Sequence, residues 1–263
     1  MTDRPRRWSA DGKLAVVTGA SSGIGQCLAK QLVRRGCRVI VVARREERLA
    51  DLARENQFFE ENLIALAGDL TEPQTRQRIV DAICEERGHV DLLVNNAGVG
   101  AIGAFETASP ERLRDVMEVN FFAPTELTRS LLPLLKASGD GVICNISSVL
   151  GHCAVPDKSE YCASKFAMHG WTDSLRAELQ SQGLTVTLVS PSTTRSEFFN
   201  VLIDSEGASS KSVGSWSPDR VAAATIRAIE RRRREVILSL GGKALVYADR
   251  LFPGLMAWIL KRR

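Results

Sequence analysis

No stretch of this 263-residue sequence is long and charge-free enough to cross a bilayer, no segment repeats, and no low-complexity tract interrupts it. These absences exclude membrane-spanning, solenoid and collagen-like chains. Its six cysteines, Cys27, Cys37, Cys84, Cys144, Cys153 and Cys162, form no Cys-x-x-Cys pair, and no histidines stand near them at ligand spacing. No metal is therefore expected. Scattered thiols of this kind read as reduced, so residence in the cytoplasm is expected. The opening MTDRPRRWSADGK lacks the apolar core of a secretory signal, and residues 1–12 are expected to form a flexible arm. The net charge is +4, and basic residues concentrate in short clusters, RPRRW, RRRR at 231–234 and the terminal KRR. With no aromatic-rich or helix-turn-helix context around them, no nucleic-acid partner is expected.

What is present is a regular alternation. Short runs rich in Val, Ile and Leu at 13–19, 37–44, 62–70, 90–98, 141–148, 184–191 and 234–240 read as seven buried strands. Between them, amphipathic segments at 24–35, 45–55, 73–87, 110–136, 159–182 and 218–232 read as helices, several opened by Pro at or near the first helical position. Continuously apolar strands alternating with helices imply an α/β fold: a doubly wound, Rossmann-type parallel sheet of seven strands with helices on both faces. One domain over 13–240 is expected, with an amphipathic extension at 241–263. Ligands of such sheets bind beyond the C-terminal strand ends. The one long irregular segment, about 192–217, is Gly/Ser-rich in its middle and is expected to be a substrate loop.

After the first strand comes TGASSGIG, in which Gly19, Ser21, Ser22, Gly23, Ile24 and Gly25 lead into a helix. Such a turn lets a pyrophosphate approach the backbone and the helix N-terminus, although a tight turn needing positive φ would read the same. The second strand ends VVARREERL, with no carboxylate to take an adenosine ribose hydroxyl. Arg44 and Arg45 stand there instead, and a guanidinium can bind a 2'-phosphate that a carboxylate would repel. That favours NADP(H) over NAD(H). Asp69 and Leu70 end the third strand, and Asn96, Ala97 and Gly98 end the fourth.

In SEYCASKFAMHGW, Tyr161 and Lys165 are four residues apart and share a helix face. A nearby ammonium lowers a phenol pKa from about 10, which gives the spacing a use in proton transfer. Upstream lie Ser148 in NISSVLG and Asn120 in MEVNFF. Together the TGxxxGxG turn, NNAG, Asn120, Ser148 and the YxxxK pair resemble the short-chain dehydrogenase/reductase family in its compact form, in order, from about residue 12 to 240.

The resemblance implies that Tyr161 exchanges a proton with the substrate oxygen and that Lys165 binds the nicotinamide ribose and lowers the tyrosine pKa. It also implies that Ser148, rather than Ser147, hydrogen-bonds the carbonyl and that Asn120 helps hold a relay water. Asp69 approaches the adenine, and Asn96 with Gly98 supports the nucleotide. After the sixth strand the chain reads SPSTTRSEF. Pro191 is kept, Ser192 replaces the family's glycine, and Ser196 stands at its threonine position, with Thr194 between them. Ser196 still offers a hydroxyl to a carboxamide.

The expected substrate walls, which include Leu150, His152, Phe198, Phe199 and Leu202, are mostly apolar, with no arginine pair to hold a carboxylate. They point to a hydrophobic aldehyde, ketone or secondary alcohol. The extension after 240 has an apolar stripe and a basic end. It reads either as an element packed on a partner subunit or over the active site, or as an amphipathic foot on a membrane surface. By analogy with the family, helices 110–136 and 159–182 form the contact of a homodimer or homotetramer. The alternative to an oxidoreductase is a catalytically silent NADP(H)-binding sensor.

Overall fold

A computed structural model describes residues 7–55, 57–194, 203 and 216–261. The seven strands are β1 (Leu14–Thr18), β2 (Arg38–Ala43), β3 (Leu63–Ala67), β4 (Leu92–Asn95), β5 (Val142–Ile146), β6 (Thr185–Ser190) and β7 (Glu235–Ile237). All pair in parallel, in the order β3-β2-β1-β4-β5-β6-β7. Alternate strand residues feed two separate cores. Ala15 and Val17 of β1, Val39 and Val41 of β2, and Val94 of β4 pack on one face with α1 (Gly23–Val33) and α8 (Pro218–Glu230). Leu14, Val16, Ile40 and Leu93 pack on the other, under α4 (Pro73–Glu86), α6 (Ala123–Ala137) and α7 (Ser159–Leu179). Burial on both faces is why the strands read as unbroken apolar runs.

The helix starts follow their sequence signals. Ser109 and Ser217 cap the helices that begin at Pro110 and Pro218, their hydroxyls accepting from the Arg112 and Arg220 amides. The expected helix 45–55 is followed by a second short one, α2 being Glu46–Arg54 and α3 Gln57–Asn62. The expected helix 110–136 is α5 (Pro110–Met117), a π-helical turn over Glu118–Phe122, and α6.

At the N-terminal end an expectation is corrected, and at the C-terminal end one of the open readings is met in part. The arm expected over 1–12 is packed from Trp8 onward: Trp8 is 2% exposed in the core and its amide donates to the Glu230 carbonyl. An indole has more to gain under α8 than in water. The last strand ends at Ile237, and α9 (Leu240–Leu251) begins at once, followed by α10 (Pro253–Leu260). Val246 of α9 is buried against Val149 and Cys153, so the segment after 240 is fastened to the same body.

Candidate active site

The strand order changes direction between β1 and β4, and a cleft of about 1320 Å³ opens above the strand ends there. It is roomier than the usual ~300–1,000 Å³ of a drug-sized ligand pocket.

At one end lies the glycine turn. Gly19 and Gly23 have φ of +67° and +58°. A Cβ on Gly19 would stand 2.8 Å from the Ala97 Cα, so a side chain there is barred twice over. The turn is laced to β4: the Asn96 side-chain amide donates to the Thr18 carbonyl at 2.8 Å, and the Asn96 and Ala97 amides donate to the Thr18 hydroxyl at 3.0 Å. Gly19, Ser21, Ser22, Gly23 and Ile24 line the cleft at the N-terminus of α1, where a helix favours an anion. Gly25 does not. A Cβ there would meet the Gly19 carbonyl oxygen at 2.3 Å, so this glycine lets the helix press on the turn.

Arg44 and Arg45 both line the cleft beside this turn. Arg45 donates to the hydroxyls of Ser21 (3.0 Å) and Ser22 (2.7 Å). The more exposed Arg44 stands 3.9 Å from Asp69, whose other oxygen accepts from the amide and hydroxyl of Thr71. Leu70, Asn96, Ala97, Gly98, Pro191 and Thr194 complete the expected nucleotide wall. A continuous trough with a helix N-terminus and a guanidinium pair at one end fits a phosphate-bearing dinucleotide.

At the other end stand Ser148, Tyr161 and Lys165. The Ser148 hydroxyl hydrogen-bonds Tyr161, whereas the Ser147 hydroxyl turns back to donate to the Lys165 carbonyl at 3.4 Å. Lys165 is buried, and its Nζ donates to the Ile146 carbonyl at 3.2 Å and lies 5.7 Å from the Tyr161 ring centre. Burial lowers the ammonium to about 8. It also pushes the Tyr161 phenol up to about 12, against the hydrogen bond from Ser148. Burial thus outweighs whatever lowering the Lys165 ammonium exerts on the phenol. The ammonium is held over the ring side by Ile146, and burial dominates.

Asn120 sits in the π-helical turn, behind the cleft wall. Its side chain accepts from the Val99 amide (2.8 Å) and donates to the Val99 carbonyl (2.9 Å) and the Ser164 hydroxyl (3.0 Å). Its carboxamide fixes the loop after β4 against α7; a π-turn often marks such a place.

Of the expected substrate residues, Leu150 lines the cleft. His152 does not, and is corrected. It is buried, with Nε2 2.8 Å from the Ser190 hydroxyl and Nδ1 accepting from Arg250 at 3.3 Å. Arginine only donates, so Nδ1 is the accepting nitrogen of that contact. Ser196, Phe198, Phe199 and Leu202 lie outside the described residues.

The sequence left open whether the segment after β7 packs over the active site, and it gave no sign of Arg220 or Arg112 there. Leu240, Leu245 and Leu260, from the segment after β7, line the cleft, and so does Arg220, stacked 3.9 Å over the Trp216 ring. The Arg112 guanidinium donates to Glu160, next to Tyr161, and to the Gly103 and Ala104 carbonyls. None carries a local signal, since each depends on residues brought from afar. Ser192, which replaces a glycine of the family pattern, shares a 2.8 Å hydrogen bond with the Ser239 hydroxyl at the cap of α9. Its backbone is not among the described left-handed positions, so the serine costs no strain.

The family described as short chain dehydrogenase matches residues 13–206. A dehydrogenase/reductase SDR family protein 7-like of Anopheles gambiae is 34% identical over 265 residues, covering 96% of this chain and 83% of the relative. A short-chain dehydrogenase/reductase from Burkholderia phymatum, solved in complex with NAD, superposes with a TM-score of 0.85 at 26% identity, covering 95% of this chain and 96% of that one. A short-chain dehydrogenase from Burkholderia cenocepacia, solved in complex with NADP, gives 0.81 at 26% identity, covering 96% and 99%.

Proposed function

The chain belongs to the short-chain dehydrogenase/reductase family and is an NAD(P)-dependent oxidoreductase; from that premise we propose that it uses NADP(H) to interconvert a carbonyl and an alcohol on an apolar substrate. The observation that carries the reaction is the Ser148 hydroxyl bonded to the Tyr161 phenol, beside the buried Lys165 ammonium, in the cleft that also holds the glycine turn.

A bound nicotinamide supplies or accepts the hydride at the substrate carbon. The chain's own residues do the rest. Ser148 and Tyr161 hold the carbonyl oxygen in a two-donor fork. Tyr161, protonated at neutral pH, gives its proton to that oxygen as charge develops there. The nearby Lys165 ammonium stabilises the phenolate left behind, and Asn120 keeps the Val99 loop and α7 in register as a positioning residue. Orientation and general-acid catalysis are the dominant contributions.

The NADP(H) preference is supported by Arg44 and Arg45 at the end of β2, with Ser21 and Ser22 holding Arg45 over the turn. The apolar-substrate reading is supported by a wall that includes Val99, Ile102, Leu150, Val155, Leu245 and Leu260. A cytoplasmic homo-oligomer, joined through the helices that expose Phe122 and Phe166, completes the reading.

The test is nicotinamide absorbance at steady state with a panel of aldehydes, ketones and alcohols, using NADPH and NADH in turn. Consumption of NADPH with apolar carbonyls is expected. Turnover of small charged keto acids alone would overturn the substrate class, and binding without consumption across the panel would favour the silent sensor.

A further inference from the structure

Helices α9 and α10 present apolar side chains in two directions. Inward, Val246 and Met256 are buried, while Leu245 and Leu260 line the cleft. Outward, Tyr247 and Leu251 stand at i and i+4 on one stripe of α9, and Phe252, Leu255 and Ile259 recur at i, i+3 and i+7 along α10. These outward residues are open to solvent, with Leu251 69%, Phe252 60% and Leu255 55% exposed. Large apolar side chains exposed on two consecutive helices mark a contact surface.

The charge says what the contact is with. Residues 240–263 carry five basic side chains, Lys243, Arg250, Lys261, Arg262 and Arg263, against the single acidic Asp249. That difference of four is the whole of the chain's net +4, so the remainder of the sequence is balanced. A second copy docked on this corner about a two-fold axis would bring the same positive charge against itself. An anionic bilayer complements both the charge and the apolar stripe. At eight residues, about 12 Å long, α10 is too short to cross a bilayer and suited to lying in its surface.

We propose that the α9–α10 corner seats on an anionic lipid bilayer and opens the cleft toward apolar substrates dissolved there. Leu260 joins the two surfaces, since it belongs to α10 and lines the cleft. The docking half stands on exposure and charge, whereas delivery of substrate rests on the apolar-substrate reading above.

The test sediments the full-length protein with vesicles of phosphatidylcholine mixed with phosphatidylserine, and with phosphatidylcholine alone, at low and high salt. The protein is expected to pellet with the anionic vesicles, and less at high salt. A Leu251→Ser, Leu255→Ser variant should keep its melting temperature, because both side chains are exposed, and lose partitioning by at least about a hundredfold. Protein left in the supernatant with both kinds of vesicle overturns the proposal. So does a wild-type oligomer that the variant dissociates in size exclusion while neither pellets, which would make the corner an interface between copies. Docking is read without turnover: a protein that pellets yet reduces only charged keto acids keeps the docking and removes the delivery.

Discussion

Arg112 and Glu160 form an ion pair 2.7 Å long, each side chain 2% exposed, one residue ahead of Tyr161. Glu160 sits in the first turn of α7, and Arg112 also holds the Gly103 and Ala104 carbonyls. The pair therefore clamps the loop after β4 to the helix that carries the tyrosine and lysine. Burial alone would raise the Glu160 carboxyl, but its backbone amide, Arg112 and Ser159 together outweigh that and hold it low.

Breaking this clamp from one side should leave a buried charge without a partner. Arg112→Met is expected to cost about 3–5 kcal/mol in denaturant unfolding, while Arg112→Met combined with Glu160→Met should recover much of the loss. Because the folded carboxyl is depressed, its stabilisation is present above the unfolded carboxyl pKa and is lost as pH falls through the folded one. Equal losses in the single and double variants would show that the pair's value lies in packing.

Tyr161→Phe should lower kcat by about a hundredfold to ten-thousandfold with melting unchanged, the range for loss of a positioned general acid. A fall of only a few-fold would transfer the proton donor's role elsewhere.

The pH profile should report Lys165. kcat/KM for carbonyl reduction is expected to be flat through neutrality and to fall above about pH 8, where the buried ammonium loses its charge, with no tyrosine limb until near 12. Stability should run the other way. Between about 8 and the unfolded lysine value near 10.4 the unfolded chain binds the extra proton, so Lys165's contribution rises with pH in that window. Lys165→Met should abolish the limb near pH 8 in whatever activity remains.

Arg44→Asp should weaken NADPH far more than NADH, by about ten- to a hundredfold in Kd, the value of a charge-assisted phosphate contact. Titration of both cofactors by protein fluorescence reads the ratio, and an unchanged ratio would sink the NADP(H) assignment.

His152 should act as an acid-labile rivet. Burial first, then His169 and Arg250, lower it to about 4, so between about 6.5 and 4 the unfolded chain binds a proton that the folded one refuses. Stability should fall with pH across that window and be lost progressively on acidification. His152→Gln is expected to flatten this slope in thermal melts taken from neutral pH to pH 4.

The strands were legible because the central ones are buried on both faces, and the observed ones fall within the apolar runs. The Tyr161–Lys165 pair was legible from helical spacing, and the glycine turn from residues that sit next to one another. The role of Asn120 was not, because its partners Val99 and Ser164 lie 21 and 44 residues away. His152 misled for the same reason: a loop histidine close in sequence to Ser148 turns out to be bonded to Ser190 and Arg250.

By itself, then, the sequence determined the layered α/β fold, the nucleotide and acid–base ends of the cleft, and the charge at the end of β2, since all of these follow from short-range periodicity and adjacent residues. Only the tertiary structure decided which glycine faces the cleft and which packs, that burial raises the Tyr161 phenol, and that the segment after β7 returns to line the cleft with Leu245 and Leu260. These depend on which surfaces exclude water from which groups, and that is fixed only when distant segments of the chain meet.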